Sequence, residues 1–89
     1  MRIGYDPDKN DKTRLERGLS FDSVVHLLWE EALIYVDDRK EYGEVRYNAF
    51  LPDEEGRFYS VTFTWREDLM WVISFRRARA KERKRYESK

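Results

Sequence analysis

Apolar residues recur at two different spacings along the chain, and the change from one to the other falls after Glu31. Arg2 to Tyr5 reads as a short extended piece. Asp6-Pro7 supplies an N-cap and a first-turn proline, which predicts a helix through about Arg17, ended by Gly18. Ser20 is a second N-cap, and Phe21, Val24, Val25, Leu28 and Trp29, flanked by Leu27, fall at helical spacing, predicting an amphipathic helix over residues 21–31. Beyond it the period becomes two. Ala32 to Val36 is β-rich, Asp37 to Gly43 is polar, and Glu44 to Leu51 alternates, with Val45, Tyr47, Ala49 and Leu51 on one face and Arg46, Asn48 and Phe50 on the other. Pro52 to Gly56 is a turn, Arg57 to Arg66 a long strand, and Glu67-Asp68 a tight connection to a strand over Leu69 to Arg76. That last strand is expected to set Leu69, Trp71, Ile73 and Phe75 on one face and Met70, Val72, Ser74 and Arg76 on the other. Arg77 to Glu87 lacks proline and glycine and is rich in Ala, Arg, Lys and Glu, a terminal helix with little apolar surface, expected to pack across the sheet edge.

The expected fold is therefore α+β: two N-terminal helices, an antiparallel three-strand meander and a basic C-terminal helix. Val25, Leu28, Val61, Phe63, Trp71 and Ile73 are expected in one core, with Trp29, Trp65 and most of the tyrosines also read as core. With 89 residues, the chain makes one domain over 1–89. A domain this small buries only roughly 60 to 65% of its unfolded surface, which favours a surface groove over a deep enclosed site.

Charge changes the picture more than composition does. Lys and Arg number 18 and Asp and Glu 18, so the net charge is zero, yet the two signs are segregated. Residues 76–89 carry eight bases against two acids, and residues 22–59 carry ten acids against four bases. Such a dipole can present a basic face to a polyanion while the whole chain stays neutral. A solvated terminal helix would show the same run. No cysteine is present, which excludes disulfides and thiolate chemistry, and one histidine, His26, excludes a multi-histidine zinc site. No metal or cofactor is expected. His26 among core-facing neighbours reads as an edge-of-core side chain. No apolar run approaches the roughly 20 residues of a membrane span, so a cytoplasmic, membrane-free protein is expected.

Several short elements occur in an order that resembles one family. Tyr5-Asp6-Pro7-Asp8-Lys9 is similar to an aromatic-Asp-x-x-Lys start, and Gly18-Leu19-Ser20-Phe21 to a Gly-x-Ser-Phe helix start. Asp37, Asp38, Glu44 and Arg46 match an Asp-rich stretch followed by Glu-x-Arg. Ile73-Ser74-Phe75-Arg76-Arg77-Ala78 and Glu82-Arg83-Lys84-Arg85-Tyr86-Glu87 match a strand end and a terminal helix. Across nearly its whole length the chain resembles the BrnT toxins of bacterial type II toxin–antitoxin modules. The resemblance implies a RelE-like fold, metal-independent mRNA cleavage that inhibits translation, and a cognate antitoxin with a ribbon-helix-helix DNA-binding domain, through which the toxin meets DNA indirectly.

The chain departs from the family pattern at Glu16-Arg17-Gly18, where the family carries Lys-His-Gly, and at Tyr5 and Phe75. A needed Lys-His pair would make this chain a slow or catalytically degenerate homologue that binds its antitoxin. A basic-helix nucleic-acid-binding domain without a partner is a third reading.

RNA cleavage without a metal needs a base for the 2′-hydroxyl and positive charge for the phosphorane. Arg46 and Arg76, on the non-core faces of their strands with Arg66 at the rim, are candidates for that charge. Glu44 is the candidate base and Glu82 the second choice. Arg77, Arg79 and Arg83 are candidate RNA-binding residues. Ordinary surface salt bridges would use the same residue types.

Overall fold

The computed structural model describes residues 1–88; Lys89, counted above in the basic segment, lies outside the described residues. A strand β1 (Ile3–Tyr5) leads into helix α1 (Pro7–Arg17) and two 3₁₀ segments, Phe21–His26 and Trp29–Glu31. Strands β2 (Leu33–Asp37), β3 (Arg46–Pro52), β4 (Phe58–Arg66) and β5 (Leu69–Arg77) follow, then helix α2 (Ala80–Glu87). They form a five-stranded sheet in the order β1-β5-β4-β3-β2, antiparallel from β2 to β5 and parallel between β1 and β5. The sheet is thus mixed and larger than the meander expected from alternation alone. Among the described residues no helix is long and apolar enough to cross a membrane.

Local chemistry explains α1. The Asp6 carboxylate accepts from the Asp8 N–H at 2.9 Å, Pro7 opens the helix, and Gly18 closes it at φ 69°, where a Cβ would be strained. The helix is polar nearly all round, and what it buries is Asn10 and Thr13. Asn10 earns its burial by accepting the Phe21 N–H at 2.8 Å, which ties α1 to the segment covering the core.

The helix expected over 21–31 is replaced by the two 3₁₀ segments, because tertiary partners take its hydrogen bonds. In an α-helix the Val24 carbonyl would accept the Leu28 N–H. Here the Trp29 indole donates to Val24 O at 2.8 Å, and Leu28 N–H turns to Pro52 O at 2.9 Å. Phe21, Val24 and Leu27 still point inward, against Ala49, Leu51, Val61, Phe63, Val72 and Phe75.

The face expected for the last strand is corrected as well. Phe63 pairs with Val72 and Thr62 with Ser74, so Ile73 is an extra residue, a β-bulge that reverses the alternation. Met70 and Val72 therefore share the core with Phe75, while Trp71 lies on the other face. Val61 and Phe63 are buried as expected; Val25, Leu28, Trp71 and Ile73 are only partly buried, and Trp65 is 50% exposed. Trp71 also sets a demand on β1. A Cβ at Gly4, its Cα partner, would lie 2.9 Å from the indole.

Helix α2 begins three residues later than expected, at Ala80, and sits over the face of the sheet rather than its edge. Tyr86 holds it, its ring 4.7 Å from Phe58 and its hydroxyl donating to Glu31 O.

Candidate functional site

The face of the sheet opposite the core is polar at its centre and cationic at its margins. Strand register sets Asp37 beside Arg46 and Thr64 beside Trp71 at one end, and Leu33 beside Phe50 and Ser60 beside Arg76 at the other. Between them runs a row of Tyr35, Asn48, Thr62 and Ser74, in which the Thr62 hydroxyl donates to the side-chain Oδ1 of Asn48. α2 borders this row and makes it a groove of about 510 Å³, bounded by Arg39, Arg76, Arg79 and Arg85 and by Asp37, Asp38 and Glu82. Four guanidiniums thus face three carboxylates.

Two charged clusters occupy the face. In the first, Arg46 and Arg66 flank Glu44, their nitrogens 3.7 and 3.8 Å from its Oε2. Each guanidinium lies over an aromatic ring, Arg46 4.1 Å from Tyr42 and Arg66 4.4 Å from Trp71. These stacks fix the planes of the forks without consuming their N–H groups, and the distances to Glu44 are too long for hydrogen bonds. The buried Arg46 Nε has no hydrogen-bond partner. Glu44 itself precedes β3 and keeps about a third of its side chain exposed.

The second cluster is closed on itself. Arg76 donates through both terminal nitrogens to the two Glu82 oxygens at 2.8 Å, and the Arg79 backbone N–H adds a third bond to Glu82. The Arg76 guanidinium holds the Glu82 carboxyl down at about 2, and Glu82 in turn raises Arg76. Asp37 is the counterpart across the groove: the Arg39 fork grips it with two bonds of 2.8 Å and lowers it to about 2. Neither carboxylate is free to take a proton near neutral pH.

The expected residues are therefore divided. Glu44, Arg46, Arg66, Arg76 and Arg79 lie on the open face, with Arg46 and Arg76 at opposite ends of the polar row. Arg77 turns to the core side, 5.5 Å from the Tyr59 ring, because it alternates with Arg76. Arg83 lies over Phe58 and bonds Glu87, away from the groove. Sequence reasoning did not single out Arg39 or Arg85 for the site. Arg39 sits in a stretch read only as polar, and Arg85 could be told from Arg83 only once the side of α2 that meets the groove was known. His26 lines a separate groove with Asp53 and Arg57 on the other side of the sheet. Arg17, at the departure from the Lys-His pattern, donates to Phe75 O at 3.1 Å.

The model of the ribonuclease toxin BrnT of type II toxin–antitoxin systems matches residues 5–82. The chain belongs to the BrnT family. Its fold is similar to that of the Brucella abortus ribonuclease toxin BrnT in a crystal structure, with a TM-score of 0.65 at 23% identity over 89% of this chain and 97% of that one. No curated relative matches the chain by sequence. The family match places the chain in a family of ribonuclease toxins of type II toxin–antitoxin systems, which implies an antitoxin partner. The matched span includes Glu44, Arg46, Arg66, Arg76 and Glu82 and stops before the last turn of α2.

The two gripped carboxylates make a pH prediction for this BrnT-family fold. Their folded values, about 2, lie below the ordinary 3.8 and 4.5, so the stability they contribute is complete above about pH 4.5 and is lost as pH falls toward 2. Urea unfolding of Asp37→Asn should show a shallower loss of stability between pH 5 and 2 than the natural chain (roughly that range by linkage); parallel curves would refute it.

Proposed function

We propose that this chain cleaves RNA without a metal ion, with Glu44 as general base and Arg46 and Arg66 neutralising the phosphorane. The observation that carries this reading is the spacing of the first cluster, which sets Glu44 between two cations while leaving its oxygens and their N–H groups unspent. In the step proposed, Glu44 takes the 2′-hydroxyl proton, the 2′-oxygen attacks phosphorus, and the P–O5′ bond breaks. The products are a 2′,3′-cyclic phosphate and a 5′-hydroxyl, which receives its proton from solvent. The two guanidiniums supply the positive charge that a metal would otherwise bring.

Arg76 then belongs to substrate binding more than to the reacting phosphate. Two of its N–H groups are committed to Glu82 and a further contact goes to Arg77 O, so it offers a reduced fork at the far end of the polar row. Arg79, with Arg39 and Arg85, extends the track for the backbone. Residues 1–89 act as one RelE-like toxin domain on mRNA in the cytoplasm. Its antitoxin carries a ribbon-helix-helix domain, and DNA is reached only through that partner.

The purified chain, incubated with RNA in the presence of a chelator, is expected to yield fragments with 2′,3′-cyclic phosphate ends. Intact RNA together with tight antitoxin binding would replace this reading by that of a degenerate, antitoxin-binding homologue. Binding is also expected to weaken steeply with salt, the log–log slope growing by about 0.7 for each phosphate neutralised on a single strand. Titrations at several salt concentrations on the natural chain and on Arg79→Ala should therefore differ by about one such increment; a flat dependence would count against backbone contacts.

A further inference from the structure

Glu44 makes no short bond of its own among the described residues, yet a general base must be held in place beside Arg46 and Arg66. Its position therefore comes from the chain on either side of it. The connection between β2 and β3, residues 38–45, contains neither helix nor strand, so side chains have to tie it down. At its far end the Thr64 hydroxyl of β4 donates to Val45 O at 2.6 Å. At its near end stands Asp37, the last residue of β2, with a side chain only 1% exposed.

Asp37 serves two partners at once. Its oxygens accept from Nε and a terminal nitrogen of Arg39, each at 2.8 Å, and the Tyr42 hydroxyl lies 3.4 Å from its Oδ2. The Tyr42 ring in turn carries the Arg46 guanidinium at 4.1 Å, and Arg46 is the residue paired with Asp37 across the ladder from β2 to β3. The contacts thus close a circuit of Asp37, Tyr42 and Arg46, and Glu44 lies on the arc of chain between the last two. Because the buried Arg46 Nε has no hydrogen-bond partner among the described residues, the ring is the contact that sets the plane of this fork.

We propose that Asp37 is a positioning residue for RNA cleavage: through the Tyr42 hydroxyl it fixes the ring on which Arg46 lies, and with it the separation of Arg46 from Glu44. Its own oxygens are taken by Arg39 and Tyr42, so it has no part in the proton transfer. A carboxylate suits the place because both of its oxygens accept, whereas an amide offers one acceptor and cannot serve both partners. The inference rests on the reading of Glu44 as the base.

Single-turnover cleavage of a short RNA over a range of protein concentrations separates the rate at saturation from the half-saturating concentration. Asp37→Asn should lower the saturated rate about tenfold and leave half-saturation within about twofold, as displacement of reacting groups by a fraction of an ångström would. Tyr42→Phe keeps the ring and removes the hydroxyl; it should also slow the saturated rate, and the double variant should lose no more than Asp37→Asn alone, because both act through one chain of contacts. In a Glu44→Gln background Asp37→Asn should cost nothing further. The Arg46 Nε–H resonance, which the Tyr42 ring shifts, should move in both single variants. Losses that multiply in the double variant, an unmoved resonance, or a loss confined to half-saturation would overturn the proposal while Glu44→Gln remains slow. Should Asp37→Asn fail to fold, Tyr42→Phe, which leaves the Arg39 grip intact, decides alone, and a natural rate overturns the proposal. Cleavage unaffected by Glu44→Gln would overturn the base assignment, and the proposal with it.

Discussion

Glu44→Gln is expected to slow RNA cleavage by about 10²- to 10⁴-fold, the usual contribution of a positioned general base, while leaving RNA affinity nearly unchanged. The amide keeps the size of the side chain but loses its negative charge and its capacity to accept a proton. Its side chain is a third exposed and forms no short hydrogen bond, so stability should hardly move. Single-turnover cleavage of a short RNA, with the unfolding midpoint as a control, checks both statements. Glu82→Gln provides the contrast. It should lower stability, because it leaves the partly buried Arg76 without its carboxylate, and should affect cleavage less. A variant pair in which Glu82→Gln abolishes cleavage and Glu44→Gln does not would exchange the roles of the two clusters.

The largest expected effect on stability is that of Phe63→Ala, about 3 to 5 kcal/mol. Phe63 is almost fully buried at the centre of an aromatic group, stacked on Tyr47 at 5.4 Å and set edge-on to Trp29 at 5.7 Å and Trp65 at 5.8 Å. Truncation removes its transfer energy and leaves a cavity between rigid rings that cannot close on it. A domain of this size has a net stability of only about 5 to 15 kcal/mol, so the variant should be partly unfolded at physiological temperature. Trp65→Ala should cost much less, since half of that side chain already meets water. Urea denaturation of the two variants measures the difference, and equal midpoints would refute this account of the core.

What could be read from the residues was what local chemistry decides. The caps of α1, the alternation that puts Tyr47, Ala49 and Leu51 inward, and the α+β order all follow from neighbours in sequence. What could not be read depends on partners far along the chain. The expected helix over 21–31 fails because Pro52 and the Trp29 indole compete for its backbone groups, and period-based reasoning contains neither. Ile73 bulges without any glycine or proline to mark it, so a strict period of two carries Trp71 and Ile73 inward and Met70 and Val72 outward. The candidate site shows the same division. Spacing places Arg46 and Glu44, two residues apart, together, whereas Arg39 and Arg85 join the groove only through the bend after β2 and the packing of α2 on Phe58.

The parallel pairing of β1 with β5 has a consequence for how the chain comes to be folded. Ile3 pairs with Met70, so the intervening strands and helix must exist before that edge can close, and a long loop pays its closure entropy before the contact returns anything. During synthesis the N-terminal strand waits without its neighbour. The open face is likewise divided among β3, β4 and β5, so Arg46, Arg66 and Arg76 are not assembled on one surface until the last strand has emerged. A nascent chain therefore carries these arginines before it carries the surface they form, which is complete only once β5 has emerged.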